Sequence, residues 1–424
     1  MRRIVVFGCG FAGYQAARKL ERSLEGRRRV ELTIVNDRSH FLFTPLLPNV
    51  ATGELDVSHI TFPLHTAFDS TTRLVIDRIE AIDFDQRVLR GRDQTVPFDY
   101  LLIAPGAQTD WKGPEDWKQH AVSLKTSRDA VRIYHRIARA LETASECKSD
   151  ERRREHLTFV FGGAGSTGVE LVAEIVSALQ HHVLPDASPA LREAMRIIVV
   201  DPADEVLHEL PEPVRLAARK RLDAYDLELR MGISVTGCSE RTVELSDGSL
   251  IDSRHLFWCG GVRTPPVVQD ADLETDSMGR IKVDTTLRVA DQPGVFAAGD
   301  VAGLDPDIPQ TAQVADQQGP VAAKNIIAEL SGRAPVSFDY FHRGHLITLG
   351  RRDAVAGLRG VVLEGKAAWA LYRVAYTALM PSGLKKARLL SDWIVANLVA
   401  GRRSPGAEAW RQAIDSTAPA SLPD

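Results

Sequence analysis

Two glycine-rich loops of identical spacing constrain the fold of this chain more than any other feature. The first loop is Gly8-Cys9-Gly10-Phe11-Ala12-Gly13, and the second is Gly163-Ala164-Gly165-Ser166-Thr167-Gly168. Each follows an apolar run that predicts a buried strand, and each opens onto a run with the apolar spacing of a helix. Strand, glycine loop and helix, in that order, form the usual binding site for the pyrophosphate of a dinucleotide. The sequence therefore predicts two dinucleotide sites.

The glycines of such a loop have separate roles. The first allows the tight turn after the strand, the second lets the backbone approach a pyrophosphate, and the third lets the helix pack on the strand. The helix then presents free N–H groups and the positive end of its dipole to the phosphates. The candidate contacts in the two loops are Gly8, Gly10, Phe11, Ala12, Gly13, Gly163, Gly165, Ser166, Thr167 and Gly168.

A polar residue at the end of the next strand is expected to bind the ribose. In the first half the strand predicted over Val30–Val35 is followed by Asn36 and Asp37. Asp37 is the stronger acceptor, and Asn36 is the alternative. In the second half Asp201 ends the predicted strand Arg196–Asp201. A carboxylate there favours NADH over NADPH, because it would repel a 2′-phosphate.

The two halves repeat one plan beyond these loops. Each contains short alternating strands typical of an antiparallel insertion, in residues 55–98 and in a hairpin over residues 243–251. Each then closes with a buried strand that ends in glycine, and the candidate backbone contacts there are Ala104, Gly106, Gly260 and Gly261. The predicted fold is α/β, with two Rossmann-like dinucleotide-binding domains of the three-layer ββα type.

A third glycine motif, Gly299-Asp300, follows an apolar strand. In a flavoprotein with two nucleotide sites, an aspartate here binds a ribityl hydroxyl of FAD. A helix is predicted to follow from Ala312, with Gln313 and Gln317 on one of its faces because they are four residues apart. An exposed polar face is the ordinary interpretation of such a pair. Its position beside the flavin favours a substrate-facing role instead.

The loop Phe41–Pro48 contains two prolines and few charges. Its residues Thr44 and Pro45 are candidates for a wall against a flat cofactor ring, and the alternative is a crossover that packs in the core. Residues 366–403 are aromatic and amphipathic, with basic residues placed as in a membrane-surface helix. A homodimer interface or a helix that docks on another domain is the alternative.

The predicted domains follow from these motifs. They are a first part of an FAD-binding domain in residues 1–125, an NADH-binding domain in 126–285, a second part of the FAD-binding domain in 286–365, a membrane-associating region in 366–403 and a flexible tail in 404–424.

Composition excludes several classes of protein. The net charge of −4 gives no general attraction for nucleic acid. The four cysteines are scattered without metal-ligand spacing, which predicts a reducing compartment and no metal site. No apolar run approaches the roughly 20 residues that span a bilayer, so any membrane contact is expected to be peripheral, at the cytoplasmic face.

Taken together, the glycine loops, Gly299-Asp300, the segment Pro309–Gly319 and the segment Phe43–Gly53 resemble the type II, non-pumping NADH:quinone oxidoreductases. The resemblance runs from about residue 3 to about residue 400. It implies FAD at the first loop with Asp300, and NADH at the second loop with Asp201.

The resemblance also implies catalytic and partner residues. Glu170 would position the nicotinamide, Gln313 and Gln317 would face a membrane quinone, and the C-terminal region would contact the membrane surface. Departures from the family pattern are Asn36 in place of an acid, Pro105 in place of threonine, and Cys259 in place of alanine.

Two other classes share parts of this plan. Sulfide:quinone oxidoreductases and disulfide reductases need a redox pair of cysteines, which this sequence does not offer at a suitable spacing. A non-enzymatic flavoprotein that senses NADH through dimerisation is the third alternative, and the two glutamines argue against it.

Overall fold

The computed structural model describes residues 1–26, 29–113, 117–304, 308–381, 383–398 and 405–414. Within these residues the strands are β1 (Arg2–Phe7), β2 (Val30–Asn36), β3 (His40–Leu42), β4 (Thr61–Pro63), β5 (Arg73–Ile76), β6 (Ile79–Asp83), β7 (Val88–Gly91), β8 (Thr95–Pro97), β9 (Tyr100–Ile103), β10 (Gln108–Thr109), β11 (Ala121–Ser123), β12 (Thr158–Gly162), β13 (Arg196–Asp201), β14 (Glu228–Met231), β15 (Val235–Cys238), β16 (Thr242–Leu245), β17 (Leu250–Asp252), β18 (His255–Trp258), β19 (Val262–Arg263), β20 (Ile281–Lys282), β21 (Val295–Ala297), β22 (Ala302–Gly303), β23 (His345–Thr348), β24 (Ala354–Leu358) and β25 (Val361–Glu364).

The helices of the same residues are α1 (Phe11–Leu24), α2 (Leu47–Ala51), α3 (Val57–Ile60), α4 (Leu64–Ala67), α5 (Trp117–His120), α6 (Ser127–Glu146), α7 (Asp150–Leu157), α8 (Ser166–Ala178), α9 (Pro189–Ala194), α10 (Glu212–Leu222), α11 (Pro266–Gln269), α12 (Ala312–Leu330), α13 (Gly365–Leu379), α14 (Gly383–Leu398) and α15 (Pro405–Gln412). Short 3₁₀ turns cover Thr44–Leu46 and Gly299–Val301, and a π-helical turn at Leu179–Val183 continues α8.

The chain divides into two compact units. Unit 1 contains residues 1–42, 61–108 and 262–343, and unit 2 contains residues 43–60, 109–261 and 344–424. The domains predicted from the sequence are cofactor domains, whereas these units are defined by compactness alone. The predicted domain boundaries therefore stay a prediction.

Unit 1 is organised around a parallel sheet in the order β21-β9-β1-β2-β5. Its central strand β1 is apolar throughout its inner part, and Ile4, Val5 and Val6 are fully buried. A continuous apolar run is what a strand covered on both faces requires. Helix α12 packs along α1 so closely that a side chain at Gly319 would meet the carbonyl oxygen of Ala12.

Unit 2 repeats this arrangement in a sheet of order β11-β18-β12-β13-β14, also parallel. The glycine loop follows the central strand of each sheet, β1 and β12. Each unit adds a three-stranded antiparallel sheet, β6-β7-β8 in unit 1 and β15-β16-β17 in unit 2. The predicted α/β fold with two Rossmann-like domains is confirmed.

The sequence also predicts a helical stretch over residues 126–154 and a last set of short strands over residues 336–365, and the structure differs from both in detail. Residues 126–154 form two helices, because α6 ends before Cys147 and Ser149 caps a new helix, α7. The start of α6 carries a capping box in which Thr126 and Asp129 each bond the other's backbone N–H. The strands expected in residues 336–365 begin only at His345.

The sequence predicts a flexible tail over residues 404–424, but the first part of this segment is helical. Residues Pro405–Gln412 form α15, and the side chain of Trp410 is fully buried. Its ring stacks on Tyr134 of α6 at 5.5 Å, and its Nε1 donates to the carbonyl oxygen of Tyr134 at 3.1 Å. An aromatic side chain with a satisfied polar atom explains the docking, which sequence periodicity in so short a segment does not reveal. Residues 404 and 415–424 lie outside the described residues.

Two further helices, α13 and α14, occupy the region predicted to associate with membranes. Neither these nor the other described helices combine the length and apolar character needed to cross a bilayer.

We expect Trp410→Ala to destabilise unit 2. Loss of a buried Trp side chain should lower the free energy of unfolding by roughly 3 kcal/mol. Urea unfolding of the full chain measures this, with Gln412→Ala as the control because Gln412 is exposed on the same helix. Equal effects of the two substitutions would show that the docking of α15 contributes nothing to stability.

Candidate active site

The first glycine loop is shaped by close contact with strand β9. Gly8 has a φ of +92°, and a Cβ placed on it would lie 2.2 Å from the carbonyl oxygen of Ala104. A Cβ on Gly13 would lie 1.9 Å from the carbonyl oxygen of Gly8. A Cβ on Gly10, in contrast, would meet no atom within 4 Å. Gly8 and Gly13 are thus required by the fold, whereas the space beside Gly10 is open at the N-terminus of α1.

The end of β2 supports this loop through Asn36. Its Oδ1 accepts a hydrogen bond from the backbone N–H of Cys9 at 2.8 Å, and its Nδ2 donates to the carbonyl oxygen of Arg38 at 2.7 Å. Asp37 is more exposed and lies 3.5 Å from the Arg38 guanidinium. Of the two predicted ribose-binding residues, Asn36 is the one that contacts the glycine loop.

The Gly299-Asp300 turn is held by Gln318, a residue that sequence reasoning missed. Gln318 is buried, and its Oε1 accepts from the backbone N–H of Gly299 at 2.6 Å. The carbonyl oxygen of Asp300 accepts from Gln310 Nε2 at 2.6 Å. Gly299 has a φ of +77°, which favours glycine at this point. Gln310 lies just before α12 and Gln318 lies within it, so residues 310–318 position the turn.

The predicted quinone-facing residues bind backbone in the structure. Gln313 Oε1 accepts from the N–H of Arg343 at 2.6 Å. Gln317 Oε1 accepts from the N–H of Phe341 at 3.1 Å, while its Nε2 donates to the carbonyl oxygen of Phe341 at 3.0 Å. These amides tie the segment Tyr340–Arg343 to α12 within unit 1.

The second glycine loop repeats the geometry of the first inside unit 2. Gly163 has a φ of +108°, and a Cβ on it would lie 2.5 Å from the carbonyl oxygen of Cys259. A Cβ on Gly168 would lie 1.9 Å from the carbonyl oxygen of Gly163. Gly261, at the end of the closing strand, has a φ of +130° and accepts from Asp110 N–H. The same two close approaches therefore fix both loops.

Asp201 supports the second loop in the way that Asn36 supports the first. Its Oδ2 accepts from the backbone N–H of Ala164 at 2.6 Å, and its Oδ1 accepts from that of Ala203 at 2.8 Å. The side chain is buried, with an exposure of 6%. The residue predicted to bind ribose is thus also an anchor of the loop.

Helix α8 carries two acidic residues one turn apart, and Thr348 of β23 binds both. Glu170 Oε1 accepts from the Thr348 backbone N–H at 3.1 Å, and Glu174 Oε1 accepts from the Thr348 hydroxyl at 2.6 Å. Burial raises the pKa of Glu170 to about 8. Burial also raises the pKa of Glu174, and the charge of Glu54 raises it further. At neutral pH the Glu170 carboxyl therefore holds a proton.

An ion pair between Glu54 and Arg373 lies near these acids. The Arg373 guanidinium packs between the rings of Trp369 and Trp393, at 4.7 Å and 4.3 Å from their centroids. Asn49 Nδ2 also donates to Glu54, at 2.7 Å. These contacts join α13 and α14 to the segment 43–60.

The predicted wall residues Thr44 and Pro45 lie in that segment, in the 3₁₀ turn that precedes α2. The Tyr372 hydroxyl reaches the carbonyl oxygen of Pro45 at 3.5 Å. The Tyr376 ring meets Phe43 edge-on, with centroids 5.9 Å apart. Residues 43–45 and α13 thus share one largely buried aromatic cluster in unit 2.

Each loop geometry fits a bound dinucleotide. The open space beside Gly10 and the unhindered start of α1 offer N–H groups to a pyrophosphate, as the FAD-binding half-site of this fold requires. The second loop has the same arrangement at the start of α8, where the N–H of Ser166 donates to Glu209.

Comparison with known proteins agrees with this geometry. The family model for pyridine nucleotide-disulphide oxidoreductases matches residues 2–319. The type II NADH:quinone oxidoreductase Ndh of Mycobacterium tuberculosis is 31% identical over 93% of this chain and 88% of its own length. The chain belongs to the type II NADH:quinone oxidoreductase family. The type II NADH:quinone oxidoreductase of Staphylococcus aureus is 26% identical over 89% of this chain and 94% of its own.

Solved structures show the same fold. NDH2 of Plasmodium falciparum in complex with NADH has a TM-score of 0.86 at 17% identity, covering 95% of this chain and 99% of that one. The sulfide:quinone oxidoreductase of Aquifex aeolicus has a TM-score of 0.71 at 15% identity, covering 94% and 96%. Because these identities are low, they establish the architecture alone.

As a type II NADH:quinone oxidoreductase, the protein is a flavoenzyme that uses FAD to pass electrons from NADH to a quinone. The findings favour this function over the sulfide-oxidising and sensor alternatives. None of its four cysteines, all of which lie within the described residues, forms a disulfide.

Sequence reasoning missed several residues of this site. Glu174 was detectable, because an acid on the buried face of an apolar helix is unusual. Glu54 and Arg373 are too far apart in sequence for their pairing to be visible.

We expect Glu170→Gln to change how stability depends on pH. A carboxyl group whose pKa is raised on folding stabilises the protein below its unfolded pKa, and this contribution is lost as pH rises towards about 8. Glutamine carries no such proton, so the variant should gain stability relative to the parent between about pH 5 and about pH 8.5. Urea unfolding across this range measures the difference.

The control is Glu193→Gln, because Glu193 is exposed. Its pH profile should stay parallel to that of the parent. A parallel profile for Glu170→Gln as well would contradict the protonated state of Glu170 at neutral pH.

Proposed function

We propose that unit 1 holds FAD through the first glycine loop, Asn36 and the Gly299-Asp300 turn, and that unit 2 binds NADH through the second loop and Asp201. The observation that carries this proposal is the repetition of one loop geometry in two units. Both loops have the same two close approaches and the same polar anchor at the end of the next strand. When bound, FAD supplies the chemistry of accepting a hydride and passing on electrons, and the protein binds and orients the cofactors.

The remaining predicted contacts follow from the same assignment. On the FAD side they are Gly8, Gly10, Phe11, Ala12, Gly13, Asp37, Ala104, Gly106, Asp300 and Ala312, and on the NADH side Gly163, Gly165, Ser166, Thr167, Gly168, Gly260 and Gly261. Thr44 and Pro45, which belong to unit 2, remain candidates for a wall against a flat cofactor ring.

Glu170 is the residue that we assign to the nicotinamide end of NADH. A protonated carboxyl can donate a hydrogen bond to the amide oxygen of nicotinamide, which a carboxylate cannot do. Burial and the backbone N–H of Thr348 hold this group in one orientation. This assignment is supported by the position of Glu170 on α8, about one helical turn beyond Ser166 at the phosphate-binding start of the helix.

Gln313 and Gln317 remain our candidates for the quinone site. Their amides bind the backbone of Phe341 and Arg343. A quinone carbonyl would therefore accept a hydrogen bond from a remaining amide hydrogen or replace one of these backbone partners. A quinone at this position would contact α12, the helix whose Gln318 also binds the Gly299-Asp300 turn.

For localisation we propose peripheral attachment to the cytoplasmic face of the membrane through α13 and α14. Lys386 and Arg388 give α14 the positive charge that attracts anionic lipids. Exposed apolar side chains of the two helices include Val374, Leu379 and Leu390. A homodimer that covers these helices is the competing explanation.

The proposed function is tested by half-reactions of the purified full-length protein. It should be yellow, bleach when NADH is added without oxygen, and recover its colour when a soluble quinone is added. NADPH should bleach it less efficiently than NADH. If NADH bleaches the protein but a quinone does not restore the colour, the quinone reductase function is contradicted. If sulfide bleaches the protein and a quinone then restores the colour, sulfide:quinone oxidoreductase activity is favoured instead.

Reversal of charge on α14 should weaken membrane binding. Each basic residue near an anionic bilayer contributes about 1 kcal/mol, so Lys386→Glu with Arg388→Glu should lower partitioning at least tenfold. Co-sedimentation with vesicles of anionic and neutral lipids measures this partitioning.

The control is the double variant Lys324→Glu with Arg333→Glu, which makes the same charge change at exposed sites of unit 1. Equal loss of binding by the two double variants would contradict a specific role for α14. Unchanged binding together with loss of dimers would favour the interface explanation.

A further inference from the structure

The segment after β13 is tied to the second glycine loop at successive points. Asp201 accepts from the N–H of Ala164, and the N–H of Leu207 donates to the carbonyl oxygen of Ala164 at 2.8 Å. Two residues further on, Glu209 Oε1 accepts from both the backbone N–H and the hydroxyl of Ser166, at 2.7 Å each. We call residues 202–210 the loop clasp.

The clasp presents Glu209 from a constrained turn. Leu207 has a φ of +56°, a conformation that non-glycine residues adopt at a cost of about 1–3 kcal/mol. Its side chain is fully buried, and its carbonyl oxygen accepts from the N–H of Leu210 at 2.8 Å. Because Leu207 and Leu210 are buried on either side, the backbone of Glu209 is held beside the start of α8.

The donors that Glu209 uses are those a pyrophosphate would need. Ser166 is the first residue of α8, so its N–H has no acceptor within the helix. The positive end of the helix dipole adds to the attraction for an anion at this point. A carboxylate that accepts both the N–H and the hydroxyl of Ser166 therefore stands at the phosphate end of the predicted NADH site.

The first glycine loop differs at the equivalent point. A Cβ on Gly10 would meet no atom within 4 Å, whereas a Cβ on Gly165 would lie 3.4 Å from Glu209 Oε1. The open loop is the one assigned to FAD, which stays bound. The covered loop is the one assigned to NADH, which must enter and leave in every turnover.

We propose that Glu209 competes with the pyrophosphate of NADH for Ser166 and thereby sets the affinity for NADH and the release of NAD⁺. This inference rests on the proposed assignment of NADH to the second loop. Binding requires the Glu209 side chain to rotate away, while the clasp backbone stays in place. The carboxylate returns to Ser166 when NAD⁺ leaves, so it favours exchange of the nucleotide over tight retention.

Charges around the clasp are consistent with free rotation of Glu209. His208 lies 3.9 Å from its second oxygen and is itself exposed. Glu205, on the same segment, is paired with Arg215 at 2.7 Å instead. Glu205 thus offers a matched control, an acidic residue of the clasp whose carboxylate is bound elsewhere.

The test uses the full-length flavoprotein with Glu209→Ala, Glu209→Gln and the control Glu205→Gln. Anaerobic stopped-flow bleaching at varied NADH concentration gives a Kd and a limiting rate. The Kd for NADH should fall about tenfold in Glu209→Ala and less in Glu209→Gln, because a charged acceptor at a helix N-terminus is removed. The limiting rate should stay unchanged, and inhibition by NAD⁺ and by inorganic pyrophosphate should become stronger in proportion.

Several outcomes overturn the inference. An unchanged Kd would show that Glu209 does not compete, and a raised Kd would show that it binds the nucleotide instead. An equal fall in Glu205→Gln would indicate a general effect of charge. FAD content and melting temperature show that the variants are folded.

Failure of the proposed function and failure of this inference give different results. If none of the proteins, including the parent, bleaches with NADH, the proposed function fails. Bleaching with an unaltered Kd refutes only the role of Glu209.

Discussion

The structure depends on the contact between each glycine loop and the backbone of a neighbouring strand. At Gly8 and Gly163 any side chain would overlap a carbonyl oxygen of the closing strand, and at Gly13 and Gly168 it would overlap the loop itself. These overlaps leave no room for adjustment, because the obstructing atoms are backbone. The close approach brings the first turn of α1 and of α8 to the edge of its sheet, where backbone N–H groups can bind a phosphate. We propose that this one geometry serves two cofactors.

Two acidic residues of unit 2, the half-buried Glu170 and the buried Glu174, extend this argument from binding to chemistry. Glu170 and Glu174 are one turn apart on α8 and share Thr348. Loss of solvation raises the pKa of both carboxyls, and the charge of Glu174 raises that of Glu170 further. The negative charge of Glu54, close to these acids, is balanced by an ion pair with Arg373, whose guanidinium packs on two indole rings. A family that transfers hydride to a flavin and protons to a quinone gains from protonated groups whose pKa values lie near neutrality. In this chain such groups are concentrated on the helix that follows the second loop.

Much of the fold was predictable, because its strongest determinants are local. The glycine spacing, the apolar strands and the Asp247-Gly248 turn of the second-half hairpin are all visible in the sequence, and they led to the repeated architecture. Contacts between distant segments were not predictable. Trp410 on Tyr134, Arg373 with Glu54 and Glu209 with Ser166 join residues whose separation leaves no periodic signal. The roles of Gln313 and Gln317 were inferred from a motif, and their bonds to residues 340–343 became visible only in three dimensions.

We propose that the two copies of the loop have different tasks, the first retaining FAD and the second exchanging NADH. Comparison of Gly10→Ala with Gly165→Ala tests it most directly, because each is the middle glycine of its loop, at which the backbone is expected to approach a pyrophosphate. Flavin absorbance per polypeptide and the Kd for NADH are measured on both proteins. We expect Gly10→Ala to fold but lose FAD, and Gly165→Ala to keep FAD while its Kd for NADH rises at least tenfold, since lost phosphate contacts are charge-assisted. Loss of FAD from Gly165→Ala with retention in Gly10→Ala would contradict the assignment.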